Sequence, residues 1–284
     1  MSVIHKGYNR WTTSPTDTMA SKKALLVVSF GTSYNDNRDK TIGATERLLA
    51  ENFPEWEVRR AFTSKMIIKK LKERDNEEID YIDAALQRLV DDGFDTVVVQ
   101  PTHIMNGTEY EFVEGFVRSF TDKFKCIRIG KPLLTTKEDY ASVVEAIETG
   151  ILEPAKAMAG PDAAVVLMGH GTDHYANSVY SQLQLALWLS GLDDVYITTV
   201  EGFPDFYDTM SMMKGNGIRN VVIQPFMVVA GDHANNDMVG DDEGSLKSVL
   251  EFNGYKVFPV IKGLGEIQEF RQLFVGHVKE IIRN

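Results

Sequence analysis

The chain has 284 residues, of which 43% are hydrophobic and 25% are charged, a composition typical of a folded globular protein. Its formal net charge of −11 disfavours nucleic acid as a partner, because such partners require a basic surface. The single cysteine, Cys126, excludes an internal disulfide, and the longest apolar runs have only strand length. We therefore expect neither a membrane span nor a signal peptide, and we expect the protein in the cytoplasm.

Apolar runs of strand length alternate with amphipathic helical stretches along the chain, which predicts parallel sheets with crossover helices. The predicted strands lie near 24–30, 57–62, 95–100, 126–130, 163–169, 194–200, 219–224 and 255–260. The predicted helices lie near 37–52, 65–91, 109–124, 137–158, 174–190, 204–216, 243–252 and 266–282, with a break in the second one around Asp75.

The two halves of the chain resemble each other. Residues 26–32 (LVVSFGT) align with 166–172 (VLMGHGT), and 97–101 (VVVQP) align with 220–225 (NVVIQP). Either match alone is compatible with chance similarity between buried strands, but two matches in the same order indicate a duplication. The predicted fold class is therefore α/β, with two similar parallel-sheet domains around a central cleft.

A Gly-Pro break near residue 160 separates the two halves. The predicted domains are residues 22–158 and residues 162–284, the second of which carries the metal ligands. Residues 1–21 form a polar N-terminal extension.

Three residues that can bind a metal follow three successive strands of the second half. His170 ends the first strand, Glu201 ends the second, and His233 lies in the loop after the third. Ligands of open parallel sheets bind beyond the carboxyl ends of the strands, so these side chains are expected to converge. Two imidazoles and a carboxylate suit a borderline divalent cation. Taken singly, each is more simply a hydrogen-bonded or solvated residue, and the site depends on the topology.

The corresponding positions of the first half hold Phe30, Thr63 and Glu109, which indicates a wall that binds no metal. Gly31 and Thr32 open a helix whose N–H groups can bind a substrate carboxylate, although capping by Ser33 is the simpler interpretation.

Three further features of the sequence bear on the cleft. Lys65 begins the one basic stretch and is a candidate for binding an acidic substrate. His103 follows a strand end and is a candidate for the cleft. The acidic segment 237–243 suits the capture of a cation, but a solvated loop is the simpler interpretation.

Three segments of the second half, 168–171 (MGHG), 200–204 (VEGFP) and 229–238 (VAGDHANNDM), resemble the signature segments of the anaerobic sirohydrochlorin cobaltochelatases, which are class II tetrapyrrole chelatases. The segments 23–34 and 61–68 are also similar to that family, so the resemblance extends from Lys22 onwards. One departure is the Gly-Phe-Pro after Glu201, where a polar residue is expected before the aromatic residue and proline.

The resemblance implies a two-domain chelatase that binds the macrocycle in its cleft and delivers cobalt to sirohydrochlorin, or to its precursor precorrin-2, on the anaerobic route to cobalamin. It implies that His170, Glu201 and His233 bind the metal and carry out catalysis. Cobalt is then a substrate, other divalent ions stay open, and no organic cofactor is expected. Phe30, Gly31, Thr32, Thr63, Lys65, His103 and Glu109 are the candidate substrate contacts.

Metal insertion requires a base for two pyrrole protons, and a neutral imidazole, with a reference pKa of about 6.5, suits that step. We assign it to His170, because small glycines flank that residue, and His103 is the competing candidate. A non-catalytic tetrapyrrole or metal carrier and a ferrochelatase or nickel chelatase for the same macrocycle are the alternatives. A homo-oligomer is left open.

Overall fold

The computed structural model describes residues 21–283, so the predicted extension lies almost entirely outside the described residues. The described part forms two four-stranded parallel sheets with the orders β2-β1-β3-β4 and β6-β5-β7-β8. The strands are β1 (Lys23–Ser29), β2 (Glu57–Phe62), β3 (Thr96–Pro101), β4 (Cys126–Ile129), β5 (Ala164–Gly169), β6 (Val195–Thr199), β7 (Asn220–Pro225) and β8 (Lys256–Pro259).

Eleven α-helices flank these sheets within the described residues. They are α1 (Asn35–Arg38), α2 (Ala44–Asn52), α3 (Lys65–Asp75), α4 (Ile82–Asp91), α5 (Thr108–Ser119), α6 (Lys137–Ile147), α7 (Glu153–Ala159), α8 (Ser178–Leu189), α9 (Phe206–Met213), α10 (Leu246–Phe252) and α11 (Gln268–Arg283). Single π-helical turns join α1 to α2 and α6 to α7. The predicted break at Asp75 is confirmed, since Asn76 ends α3 in the left-handed conformation.

The predicted duplication is confirmed, because both sheets have the same strand order and all their strands are parallel. A detail of the third strands repeats as well. The Gln100 side chain in β3 donates to the carbonyl of Lys131 (3.3 Å), and Gln224 in β7 donates to that of Lys262 (3.1 Å). In each half, a buried glutamine thus holds the loop that follows the fourth strand.

Side chains of β1 alternate between two cores, as expected for a strand covered by helices on both faces. Leu26 and Val28 pack against residues of α4 and α5. Leu25 and Val27 pack against residues of α2 and against Val275 and Val278 of α11.

Three helices do not follow the order of the sequence halves. Helices α6 and α7 precede the break at Gly160, yet their buried side chains belong to the core that covers β5 and β7. Helix α11 ends the described chain and packs on the first sheet through Val275 and Val278, while Phe270 and Phe274 enter the second core. The chain therefore crosses between the two lobes. The domain bounds 22–158 and 162–284 stay a prediction from the sequence. No helix of the described chain is long and apolar enough to span a membrane.

Candidate metal and tetrapyrrole site

The register of the second sheet places Glu201 beside His170. Pairing of β5 with β6 continues beyond both strands, because Val200 N donates to the Gly169 carbonyl (3.1 Å) and Glu201 N donates to the His170 carbonyl (2.8 Å). Both side chains are exposed. The backbones of these two residues therefore lie side by side at one edge of the sheet, as predicted.

The imidazole rings of His170 and His233 meet at this edge. Their centroids are 4.5 Å apart and their planes are nearly perpendicular. Nδ1 of His170 lies 2.8 Å from the Gly171 carbonyl oxygen, and Nδ1 of His233 lies 2.8 Å from Oδ2 of Asp237. Both partners only accept hydrogen bonds, so in each ring we assign the proton to Nδ1. Each neutral ring then presents the lone pair of Nε2, the usual arrangement of metal-binding histidines.

The Glu201 carboxylate does not complete a three-residue ligand group with the two imidazoles. Across residues 21–283, no set of three His, Cys, Asp or Glu side chains is arranged to hold one ion. The structure thus brings together two of the three predicted ligands. Sequence analysis considered Asp237 only as part of the acidic segment 237–243 and did not predict its contact with His233, although its place four residues after His233 was a signal for that contact.

The glycines beside His170 have a different role from the one expected from sequence. A Cβ atom on Gly169 would lie 2.3 Å from the Tyr180 ring, and one on Gly171 would lie 1.9 Å from the Glu201 carbonyl oxygen. Gly171 also has a φ of +82°, which disfavours other residues. Protein atoms occupy the positions that both Cβ atoms would take, so local packing requires glycine at both places, and the assignment of the base to His170 stays a prediction.

The strand ends of the first half place the predicted wall residues in different environments. Phe30 is 47% exposed, whereas Thr32 and Thr63 are buried and Oγ1 of Thr63 has no hydrogen-bond partner. Tyr34 precedes α1 without a side-chain cap, so Ser33 does not cap that helix. Gly31 packs its backbone against the ring of Phe62.

Lys65 and Glu109 both lie near Tyr81, a residue that sequence analysis did not select. The Lys65 ammonium is 4.7 Å from the centroid of the Tyr81 ring. Burial, followed by the carboxylates of Glu109 and Asp83, raises the pKa of the Tyr81 hydroxyl. Lys65 is exposed, and Glu109 is half-buried in the first turn of α5.

His103 lies in the loop after β3, but neither of its ring nitrogens reaches solvent or a hydrogen-bond partner in the structure. Burial lowers the pKa of His103 to about 4. As a whole, His103 is of intermediate exposure, although both of its ring nitrogens are buried. Burial of both nitrogens argues against the expected position facing the cleft.

Loops from the two lobes touch at several points that the sequence did not predict. Tyr34 Oη donates to Asp232 (3.4 Å), one residue before His233. Glu111 of α5 accepts from Tyr175 (3.4 Å) and lies 3.5 Å from Nε2 of His174. These three contacts join segments that follow strands of the two sheets at their carboxyl ends, so these segments face each other across the predicted cleft.

Comparison with known proteins agrees with this architecture. The sequence model described as cobalt chelatase (CbiK) matches residues 23–283. The chain is 38% identical over 261 residues to the sirohydrochlorin cobaltochelatase of Salmonella typhimurium, covering 92% of this chain and 97% of that one. It is 33% identical over 261 residues to the sirohydrochlorin cobaltochelatase CbiKC of Nitratidesulfovibrio vulgaris, covering 91% and 90%.

The solved structure of SirB from Bacillus subtilis with Fe³⁺ superposes with a TM-score of 0.64 at 17% identity, covering 91% of this chain and 95% of that one. This similarity supports the fold, and the predicted chelatase-like α/β class is confirmed. Because the family match extends over nearly the whole described chain, the protein belongs to the cobalt chelatase family.

Proposed function

We propose that this protein is a sirohydrochlorin cobaltochelatase, which inserts Co²⁺ into sirohydrochlorin for cobalamin biosynthesis. The family match and the two curated relatives support this activity. The observation that carries the proposal is the contact between the His170 and His233 rings, each with Nδ1 hydrogen-bonded and Nε2 available. Two neighbouring Nε2 atoms with available lone pairs are suited to holding a divalent cation.

We assign the substrate metal to Nε2 of His170 and His233, with the Glu201 carboxylate as the third ligand. The backbone of Glu201 is hydrogen-bonded to that of His170, and Glu201 is exposed. Its carboxylate therefore joins the two imidazoles at one ion by rotation of the side chain. A single carboxylate offsets part of the cation's charge. Three protein ligands leave open coordination positions, where pyrrole nitrogens replace water.

His170 is our candidate for the base that removes pyrrole protons. Its ring is at the exposed end of β5, and the hydrogen bond to the Gly171 carbonyl directs the lone pair to Nε2. Because this single lone pair also binds the metal, Nε2 accepts a pyrrole proton only after it has released the metal to the macrocycle. The competing residue, His103, has both nitrogens buried, which favours His170 for the role.

The macrocycle is acidic and the protein has a net charge of −11, so binding requires cations or hydrogen-bond donors placed within the cleft. We propose Lys65 as a cation for a substrate carboxylate, since its ammonium group is exposed near the end of β2. Backbone groups of Gly31 and Thr32 and the side chain of Glu109 complete the proposed contacts. Thr63 and His103 are not among them, because their polar side-chain atoms are buried. The exposed ring of Phe30 offers an apolar wall for the macrocycle.

We further propose that the reaction takes place in the cytoplasm and needs no organic cofactor, nucleic acid or membrane. Cobalt is assigned as the metal, although iron and nickel share the same ligand preferences. Assembly into a homo-oligomer is compatible with this function.

An anaerobic assay tests the proposal. Purified protein is mixed with excess sirohydrochlorin and with Co²⁺, Fe²⁺ or Ni²⁺ in turn, and the absorbance of the product is followed. We expect many turnovers per protein, fastest with Co²⁺. Product formation limited to one equivalent would identify a carrier, and a faster reaction with Fe²⁺ or Ni²⁺ would reassign the metal.

A further inference from the structure

A side chain of the first lobe holds the loop that carries His233. Asn37 lies in α1, and its Oδ1 accepts a hydrogen bond from the backbone N–H of Ala230 (3.0 Å). Its Nδ2 donates to Oε1 of Glu266 (3.2 Å). Both partners belong to the second lobe, so one amide side chain joins the lobes through two hydrogen bonds.

The two partners of Asn37 are themselves part of one local structure. Glu266 Oε1 also accepts from Gly263 N (3.2 Å). The adjoining turn pairs with the loop after β7, because Leu264 N donates to the Met227 carbonyl (2.8 Å). The loop that leaves β7 is therefore held on one side by the Glu266 turn and at Ala230 by Asn37.

The anchored position is only three residues before His233. Ala230 is 3% exposed, so its N–H has little access to water if the Asn37 bond is lost. After Ala230, the Gly231 carbonyl accepts from both the backbone and the side chain of Asn235 (3.2 and 2.7 Å), and a π-helical turn begins at Ala234. Only a short, hydrogen-bonded segment therefore separates Ala230, which Asn37 holds, from the His233 ring that contacts His170.

The chemistry of both partners determines how Asn37 is oriented. A backbone N–H can only donate and an ionised carboxylate can only accept, so the amide oxygen faces Ala230 and the amide nitrogen faces Glu266. An aspartate at this position can accept from Ala230 but cannot donate to Glu266. An asparagine therefore fits both partners at once.

We propose that Asn37 is a positioning residue for His233, which sets the place of that imidazole relative to His170 from the opposite lobe. The inference rests on the proposed function, in which His233 binds the substrate metal. Residues that orient metal ligands affect metal affinity when they are replaced, even though they do not touch the ion.

The test uses Asn37→Asp and a compensating substitution, Glu266→Gln. The first change places two carboxylates against each other, and we expect cobalt affinity to fall by about 10-fold or more. Adding Glu266→Gln lets the new amide donate to the introduced carboxylate, and cobalt affinity should return towards the wild-type value. Affinity is measured by titrating the full-length protein with Co²⁺ alone and following visible absorbance, together with separate KM values for cobalt and sirohydrochlorin.

A double-mutant cycle with His233→Ala determines whether Asn37 acts through His233. In the His233→Ala background, Asn37→Asp should cause no further loss of cobalt affinity. An equal loss in both backgrounds, or a loss that Glu266→Gln does not restore, would overturn the positioning role. If His233→Ala by itself binds cobalt normally, the ligand assignment fails instead, which separates the two hypotheses.

Asn220→Ala is the matched control. The Asn220 side chain also joins separate segments, donating to the Ala159 carbonyl (2.6 Å), but it lies at the opposite end of β7 from the site. We expect it to lower Tm without changing the KM for cobalt. If Asn220→Ala raised that KM as much as Asn37→Asp does, a general loss of stability would explain the effect and the proposal would be rejected.

Discussion

At the scale of single residues, the site depends on hydrogen bonds that select one nitrogen of each imidazole. The Gly171 carbonyl and the Asp237 carboxylate each engage Nδ1, which leaves Nε2 of His170 and His233 for other partners. Both bonds determine which ring nitrogen is available to the metal of the proposed function.

Replacing His233 with alanine is expected to abolish chelation with little loss of stability. The side chain is 33% exposed and belongs to none of the hydrophobic cores, so its removal leaves no large cavity. Turnover and thermal unfolding of the variant are compared with wild type. A large decrease in Tm would contradict this expectation and indicate a structural role.

His103 is expected to make the protein less stable in mild acid. Burial lowers the pKa of His103 to about 4 in the folded state, whereas an unfolded histidine titrates near 6.5. Between these values only the unfolded state binds the proton, so the free energy of unfolding falls as pH decreases from about 6.5 to about 4.

We therefore expect His103→Leu to lose less stability than wild type between pH 7 and pH 5. Urea unfolding at the two pH values measures the difference. An equal loss in both proteins would mean that His103 is solvated or partnered in solution.

At the scale of elements, a buried charged cluster fastens α6 to α11. Asp139 of α6 accepts from Nε2 of His277 (3.2 Å) and from the Lys131 ammonium (2.8 Å), and Lys131 also pairs with Glu280 (2.9 Å). Burial alone would raise the pKa of Asp139, but the hydrogen bonds from His277 and Lys131 outweigh it and hold that pKa well below its usual range. The ionised carboxylate is thus favoured in the folded state.

Asp139→Asn is expected to lower the free energy of unfolding by about 2 kcal/mol at pH 7, as for hydrogen bonds to charged groups. Because the folded-state pKa of Asp139 is depressed, its contribution is fully present above the unfolded pKa of about 3.9 and is lost as pH falls further. The difference from wild type, measured by urea unfolding between pH 7 and pH 3, should therefore shrink in acid.

The control for this prediction is Asp39→Asn. Asp39 pairs with Arg47 at the surface (2.7 Å, with both side chains more than half exposed), and such pairs contribute little. Comparable losses in the two variants would argue against the buried cluster as a source of stability.

At the scale of the whole molecule, α11 contributes to the cores of both lobes. Phe270 and Phe274 pack in the second core, and Val275 and Val278 pack on the first sheet. Arg128 of β4 also donates to the carbonyl of Ile281 at the end of α11 (2.7 Å). The lobes are therefore expected to unfold together.

Phe274→Ala should destabilise the protein by about 3–5 kcal/mol, because Phe274 is 1% exposed and its truncation leaves a cavity. We expect a single unfolding transition by both circular dichroism and tryptophan fluorescence, shifted to lower urea concentration. Two separate transitions would show that the lobes are independent and that α11 does not couple them.

Much of the fold could be predicted from sequence because local patterns report burial. The strand predicted at 57–62 has those bounds in the structure, and the break near Asp75 is where α3 ends. The π-helical turn that follows His233 was not predicted, because its residues carry no distinct periodicity. The position of Glu201 was predicted through strand order, but the direction of its side chain depends on rotation that no sequence pattern reports.

The sequence by itself determined the alternation of strands and helices, the internal duplication and the edge at which His170 and Glu201 lie, since these follow from periodicity and strand order. The tertiary structure alone decided that α11 packs on the first sheet and that Asn37 holds the His233 loop. The physical reason is that an apolar stripe or a polar side chain specifies that a partner is needed, without specifying which one. Asn37 and Ala230 are 193 residues apart, and only the assembled lobes bring them together.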